Sequence, residues 1–107
     1  MYTVEYFVDA DGNAVLDDWR KQLADKQASM RIAMRIDRLE RGVFGDSKPL
    51  KEGVWELRID YGPGYRLYYS MVGKTIILLL CGGDKRKQNA DIDRAVTYLK
   101  DYKRRNG

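Results

Sequence analysis

At 107 residues, 44% hydrophobic and 34% charged, the chain holds enough apolar material for one core under a solvated surface. This excludes disorder and two independent domains and gives a single domain over 1–107. With no histidine and one cysteine, Cys81, a histidine base, an internal disulfide and an ordinary zinc site are excluded, and no metal or cofactor is expected. The net charge of +4 sits at one end: 84–107 carry eight Lys/Arg against four Asp/Glu, leaving twelve of each in 1–83.

No basic segment followed by an apolar core opens the sequence, and the longest apolar run, Ile76 to Cys81, is too short to cross a bilayer. A cytoplasmic protein with no membrane partner is expected. Tyr2 to Val8 is aromatic and β-branched and reads as a strand, broken by "DADGN". Asn13 or Asp11 is positioned to cap a helix carrying Leu16, Trp19 and Leu23. A second helix is predicted from Lys26 to Arg41, with Ile32, Ala33, Ile36 and Leu39 on one face and Arg31, Arg35 and Arg38 on the other. That arginine stripe reads as solvated surface.

After a loop carrying Gly45, Pro49 and Gly53, the apolar period becomes two. In "VWELRID", Trp55, Leu57 and Ile59 oppose Glu56, Arg58 and Asp60, and after the turn "YGPG", Tyr65, Leu67 and Tyr69 oppose Arg66, Tyr68 and Ser70. This predicts a hairpin with one apolar and one polar face. "TIILLLC" does not alternate and reads as a central strand covered on both sides. A last helix, capped by Asn89, buries Ile92, Ala95, Val96 and Leu99 and runs out near Arg105. The expected fold is α+β: an antiparallel-dominated sheet of about four strands with an N-terminal helical hairpin and a C-terminal helix, in the order βααβββα.

On the polar hairpin face, Arg58 and Arg66 come from neighbouring strands, with Glu56 and Tyr68 beside them. Two guanidiniums on one face repel unless an anion joins them, and their planar forks suit phosphate oxygens. The plainer alternative is cross-strand pairing with Glu56 and Asp60. In "CGGDKRKQN" two glycines read as an exit turn that lets the main chain approach a ligand, followed by Lys85, Arg86 and Lys87 near the start of a helix. Its plainer alternative is a simple connection, but the three basic features together point to a nucleic-acid backbone.

The blocks "GVWELRIDYGPGYRLYY" (53–69) and "ILLLCGGDKRKQNADIDRA" (77–95) resemble the phage-derived, HigB-like branch of the RelE/ParE toxin superfamily. The resemblance implies the RelE-like fold and the toxin of a type II toxin–antitoxin pair. The implied activity is that of a ribosome-dependent messenger RNA endoribonuclease, silenced by a cognate antitoxin that binds DNA; other superfamily members inhibit DNA gyrase instead, without catalysis. Position by position it makes Arg66 the leading catalytic residue, followed by Arg58 and by Lys85 or Arg86. Two departures stand out: the family's tyrosine at the start of the last helix is missing, since that region reads Asp91, Ile92, Asp93, and Glu56 replaces a lysine.

The expected chemistry is metal-free attack of a 2′-hydroxyl on its neighbouring phosphorus. Arg66 and Arg58 stabilise the developing charge and Glu56 takes the proton. Lys85 supplies a proton if crowding by Arg86 and Lys87 lowers its pKa. Arg86, Lys87 and Tyr68 are expected to touch RNA, although Tyr68 equally suits sheet packing. A basic nucleic-acid-binding module without toxicity is the third reading.

Overall fold

The computed structural model describes residues 1–106. Strand β1 (Thr3–Tyr6) leads to helices α1 (Val15–Gln22) and α2 (Lys26–Glu40). Strands β2 (Ser47–Pro49), β3 (Trp55–Ile59), β4 (Tyr65–Val72) and β5 (Ile76–Asp84) follow, then a 3-10 turn (Lys85–Lys87) and α3 (Gln88–Asn106). The sheet order is β1-β5-β4-β3-β2, with β1 parallel to β5 and the other neighbours antiparallel. The α+β class holds, with one strand more than the expected four. The addition is β2, whose three residues are too few to show a period; its Pro49 sits on the sheet edge, where a missing N–H is tolerated. No helix among the described residues is long and apolar enough to cross a membrane.

Both faces of the sheet are covered. Leu57, Leu67, Tyr69, Ile77 and Leu79 pack with Leu16 of α1 and Ile32, Ile36 and Leu39 of α2. On the other side Tyr68, Leu78, Leu80 and Cys81 pack with Ala95, Val96 and Leu99 of α3. The expected polar face of the hairpin is therefore largely the floor of α3, and Tyr65 to Ser70 are all buried. Alternation in β4 distinguishes two apolar cores, not core from solvent. Cys81 belongs to the second core, where burial pushes its thiol pKa up to about 12.

Strand β5 does not end at its glycines. Tyr68 pairs with Cys81 and Tyr69 with Leu79, so Leu80 is an inserted bulge residue, and pairing continues through Gly82 and Gly83 opposite Leu67 and Arg66. Gly82 lies against the Trp19 ring of α1 and Gly83 against the Asp91 carboxylate of α3, and a Cβ at either position would collide with that neighbour. The pair is there for close approach of two helices, which corrects the exit-turn reading.

The caps also differ from expectation. The Asp9 carboxylate accepts from the N–H groups of Asp11 and Asn13 (3.0 and 2.9 Å), and α1 starts after Ala14 with no side-chain cap. Asp25 caps α2, accepting from Gln27 and Ala28. Ala33 is exposed, and Ala28 takes its place in the buried stripe of α2. Asp84, not Asn89, caps the turn that leads into α3, accepting from the Arg86 N–H at 2.9 Å.

Candidate nucleic-acid cleft

Strands β3 and β4 bring Arg58 and Arg66 directly opposite one another, with Glu56 opposite Tyr68. Gly62 and Gly64, at φ of 57° and 83°, make the connecting turn, a backbone conformation that side chains with a Cβ resist. The 3-10 turn after β5 brings Lys85 alongside Gly64. Arg58, Arg66 and Lys85 thus line one cleft of about 470 Å³, together with Asp46, Asp60 and the Gly62–Gly64 turn. These are the three side chains that the sequence groups around one phosphate.

Their partners differ. Arg58 is exposed and donates to both carboxylate oxygens of Asp46, from Nε and Nη2 at 3.1 Å each. That bond raises the guanidinium pKa further and keeps it charged. Arg66 is 9% exposed and faces Glu56, itself 0% exposed, across 3.6 Å from Nη1 to Oε1. This is attraction beyond hydrogen-bond length, and the buried Arg66 Nε and Glu56 Oε1 have no hydrogen-bond partner. Gln88, the first residue of α3, donates to Glu56 Oε2 at 2.7 Å. Glu56 is therefore enclosed between the arginine in front and the helix behind. Buried there, it is placed against Arg66 and has no surface open to a substrate hydroxyl, which tells against the expected role as base.

Lys85 is exposed and has no carboxylate within ion-pair distance among the described residues. Arg86 folds back onto Asp84, its Nη2 2.9 Å from Oδ2, which holds the Asp84 carboxyl below its usual pKa. Lys87 points to a separate cleft with Trp19, Asp91 and Arg94. The three consecutive cations therefore diverge and do not crowd one ammonium. Tyr68 is wholly buried beneath α3, and desolvation there pushes its phenol pKa far up. Its ring offers no face to a base.

Asp46 and Gln88 complete the cleft or its support and were not singled out from the sequence; of the two carboxylates expected to pair across the strands, Glu56 does face Arg66 and Asp60 makes no ion pair among the described residues. Asp46 lies in an irregular segment whose return to β3 has no local signal. Gln88 follows a basic run that draws attention to charge, not to an amide.

Residues 18–103 match the family described as phage-derived protein Gp49-like (DUF891), and the chain belongs to that family. An uncharacterised protein of Haemophilus influenzae is 46% identical over 79 residues, covering 74% of this chain and 80% of the relative.

Proposed function

We propose that this Gp49-like protein is the toxin of a type II toxin–antitoxin pair and cuts messenger RNA bound to the ribosome. The observation that carries the reading is the convergence of Arg58, Arg66 and Lys85 on one open cleft. Family membership and the resemblance of segments 53–69 and 77–95 to RelE/ParE toxins agree with it. The partners are messenger RNA, the ribosome and a cognate antitoxin that binds DNA, and the setting is the cytoplasm.

In this mechanism the scissile phosphate enters between Arg58 and Arg66. The exposed Arg58–Asp46 pair exchanges one anion for another at little cost, since such pairs contribute little in water. Arg66 needs no exchange, because Glu56 steadies it from behind and leaves its outer donors to the substrate. The 2′-oxygen forms a bond to phosphorus and gives its proton to Asp60, the cleft carboxylate with no ion-pair partner among the described residues. The bond to the 5′-oxygen breaks as the Lys85 ammonium protonates it, leaving a 2′,3′-cyclic phosphate and a free 5′-hydroxyl. The guanidiniums carry the charge of the phosphorane between these steps. Alignment of the messenger by the ribosome supplies orientation that so sparse a set of groups does not.

Purified protein added to a translating extract is expected to yield fragments ending in 2′,3′-cyclic phosphate. Intact messenger, together with trapped gyrase–DNA cleavage complexes, overturns this reading in favour of gyrase inhibition.

A further inference from the structure

On the other side of the Lys85–Lys87 turn from the Arg58–Arg66 cleft, α1, the end of β5 and α3 border a second cavity of about 460 Å³, within the size range of small-molecule sites. Nothing in the proposed reaction uses it. Asp91 lines this cavity while only 3% exposed, and its carboxylate accepts no hydrogen bond among the described residues. Its Oδ2 is buried beside Gly83 without a partner, and its Oδ1 stands 3.7 Å from Arg94 Nη1, beyond hydrogen-bond length. Desolvation raises its pKa, the mark of a carboxylate short of donors. Trp19 forms an aromatic wall, its indole against Gly82. The half-buried Asp18 and the exposed Lys87 also line the cavity, and neither makes an ion pair among the described residues.

We propose that this cavity is a base-recognition pocket selective for guanine. Its charges select the guest. A simple cation would meet Arg94 and Lys87, and a simple anion would meet Asp18 and Asp91, so the occupant must offer donors and acceptors side by side. Guanine does: its N1–H and N2–H project together toward one carboxylate, and O6 beside them accepts from a guanidinium. Asp91 and Arg94, neighbours on one face of α3, present that complement. Adenine and cytosine set a ring acceptor next to their amino group, which a carboxylate repels, and uracil has a single N–H between two carbonyls. The Trp19 indole supplies a surface for the ring to stack on, as aromatic side chains do for unpaired bases. Gly83, beside Asp91, pairs with Arg66 across β4 and β5, so the pocket adjoins the phosphate cleft, and Lys85 and Lys87 face one each. A guanosine next to the scissile phosphate reaches the pocket across the turn. That placement rests on the ribonuclease reading; guanine recognition itself rests on the cavity alone, which suits a free guanine nucleotide by the same chemistry.

The chain has two tryptophans, so fluorotryptophan labelling gives a two-signal fluorine NMR spectrum, with Trp55 of β3 as the internal control for Trp19. The probes are the 5′-monophosphates of guanosine, adenosine, cytidine, uridine and inosine, and inorganic phosphate, each titrated into the full chain. GMP is expected to shift Trp19, leave Trp55 unmoved and bind about tenfold more tightly than AMP, CMP or UMP. Inosine monophosphate, which lacks the 2-amino group, is expected to bind more weakly than GMP. Asp91→Asn is expected to keep the parent's fluorine spectrum when free, which shows that it is folded, and to lose the preference for GMP. An unmoved Trp19 signal, equal affinity for the nucleotides, the same shift with inorganic phosphate, or an undiminished preference in Asp91→Asn would each overturn the proposal. A short RNA with one guanosine and 2′-deoxy sugars at the cleavable positions distinguishes the two sources. Tighter binding than GMP, with the gain lost in Arg66→Ala, makes the guest a base of RNA; affinity equal to that of GMP rejects the RNA placement and leaves the free nucleotide. Guanine binding without cleavage of translated messenger would count against the ribonuclease reading alone, and cleavage without guanine binding against the pocket alone.

Discussion

Arg66 is held by a carboxylate that it does not hydrogen-bond. Glu56 lies 3.6 Å away, wholly buried and anchored by Gln88 at 2.7 Å. Removing one partner of such a pair leaves an uncompensated buried charge, so Glu56→Ala is expected to lower stability by about 3 kcal/mol in urea unfolding. Asp46→Ala, which removes the partner of an exposed arginine, is expected to leave the unfolding midpoint almost unchanged. Equal losses would mean that Glu56 is not acting as an enclosed anchor. Asp91 gives a pH test of burial. Desolvation raises its pKa above the ordinary 3.8, with Arg94 opposing the shift. Between about pH 4 and the raised native value, the folded state keeps a proton that the unfolded chain has lost, so this group's contribution falls as pH rises. Asp91→Asn is therefore expected to melt higher than the parent at pH 7, with the gap closing near pH 4. A gap independent of pH would place the effect elsewhere.

Among the elements, β5 decides where both helices sit. The Leu80 bulge places Leu80 and Cys81 together in the core under α3, and the next two residues meet one helix each, Gly82 against Trp19 and Gly83 against Asp91. Gly82→Ala is expected to cost about 1–3 kcal/mol in thermal unfolding, because a Cβ must displace an indole wedged between sheet and helix. A loss near zero would show that α1 recedes freely. Element type was readable because Leu16, Trp19 and Leu23, and later Ile32, Ile36 and Leu39, keep a helical period, while Trp55, Leu57 and Ile59 keep a period of two. The glycine pair was misread because a sequence shows that a side chain is missing but not what fills the space. The polar hairpin face was misread for a similar reason: Tyr68 and Ser70 sit at alternate positions whether the second layer is water or α3. Arg58, Arg66 and Lys85 were legible as a group, since hairpin register and a short turn suffice to gather them. The Asp46 carboxylate and the Gln88 amide were not, because both reach the site from parts of the chain outside the hairpin.

Over the whole molecule, cations are distributed between several surfaces. The excess of +4 does not form one basic surface, because Arg86, Arg104 and Arg105 are tied to aspartates. Two further cationic surfaces meet at Ile59 and Asp60: the cleft, where Arg58 faces Asp46, Arg66 faces Glu56 and Lys85 is unpaired, and the outer face of α2, where Arg31, Arg35 and Arg38 make no ion pair among the described residues. The central claim is that the first of these grips a single phosphate and acts as a unit. Its most direct test is the rate at which 2′,3′-cyclic phosphate ends appear on a translated messenger with the parent protein, Arg58→Ala, Arg66→Ala and the double variant. Each single change is expected to slow cleavage by about 10²- to 10³-fold, and the double change by far less than the product of the two. Undiminished cleavage by Arg66→Ala, or losses that simply multiply, would contradict it.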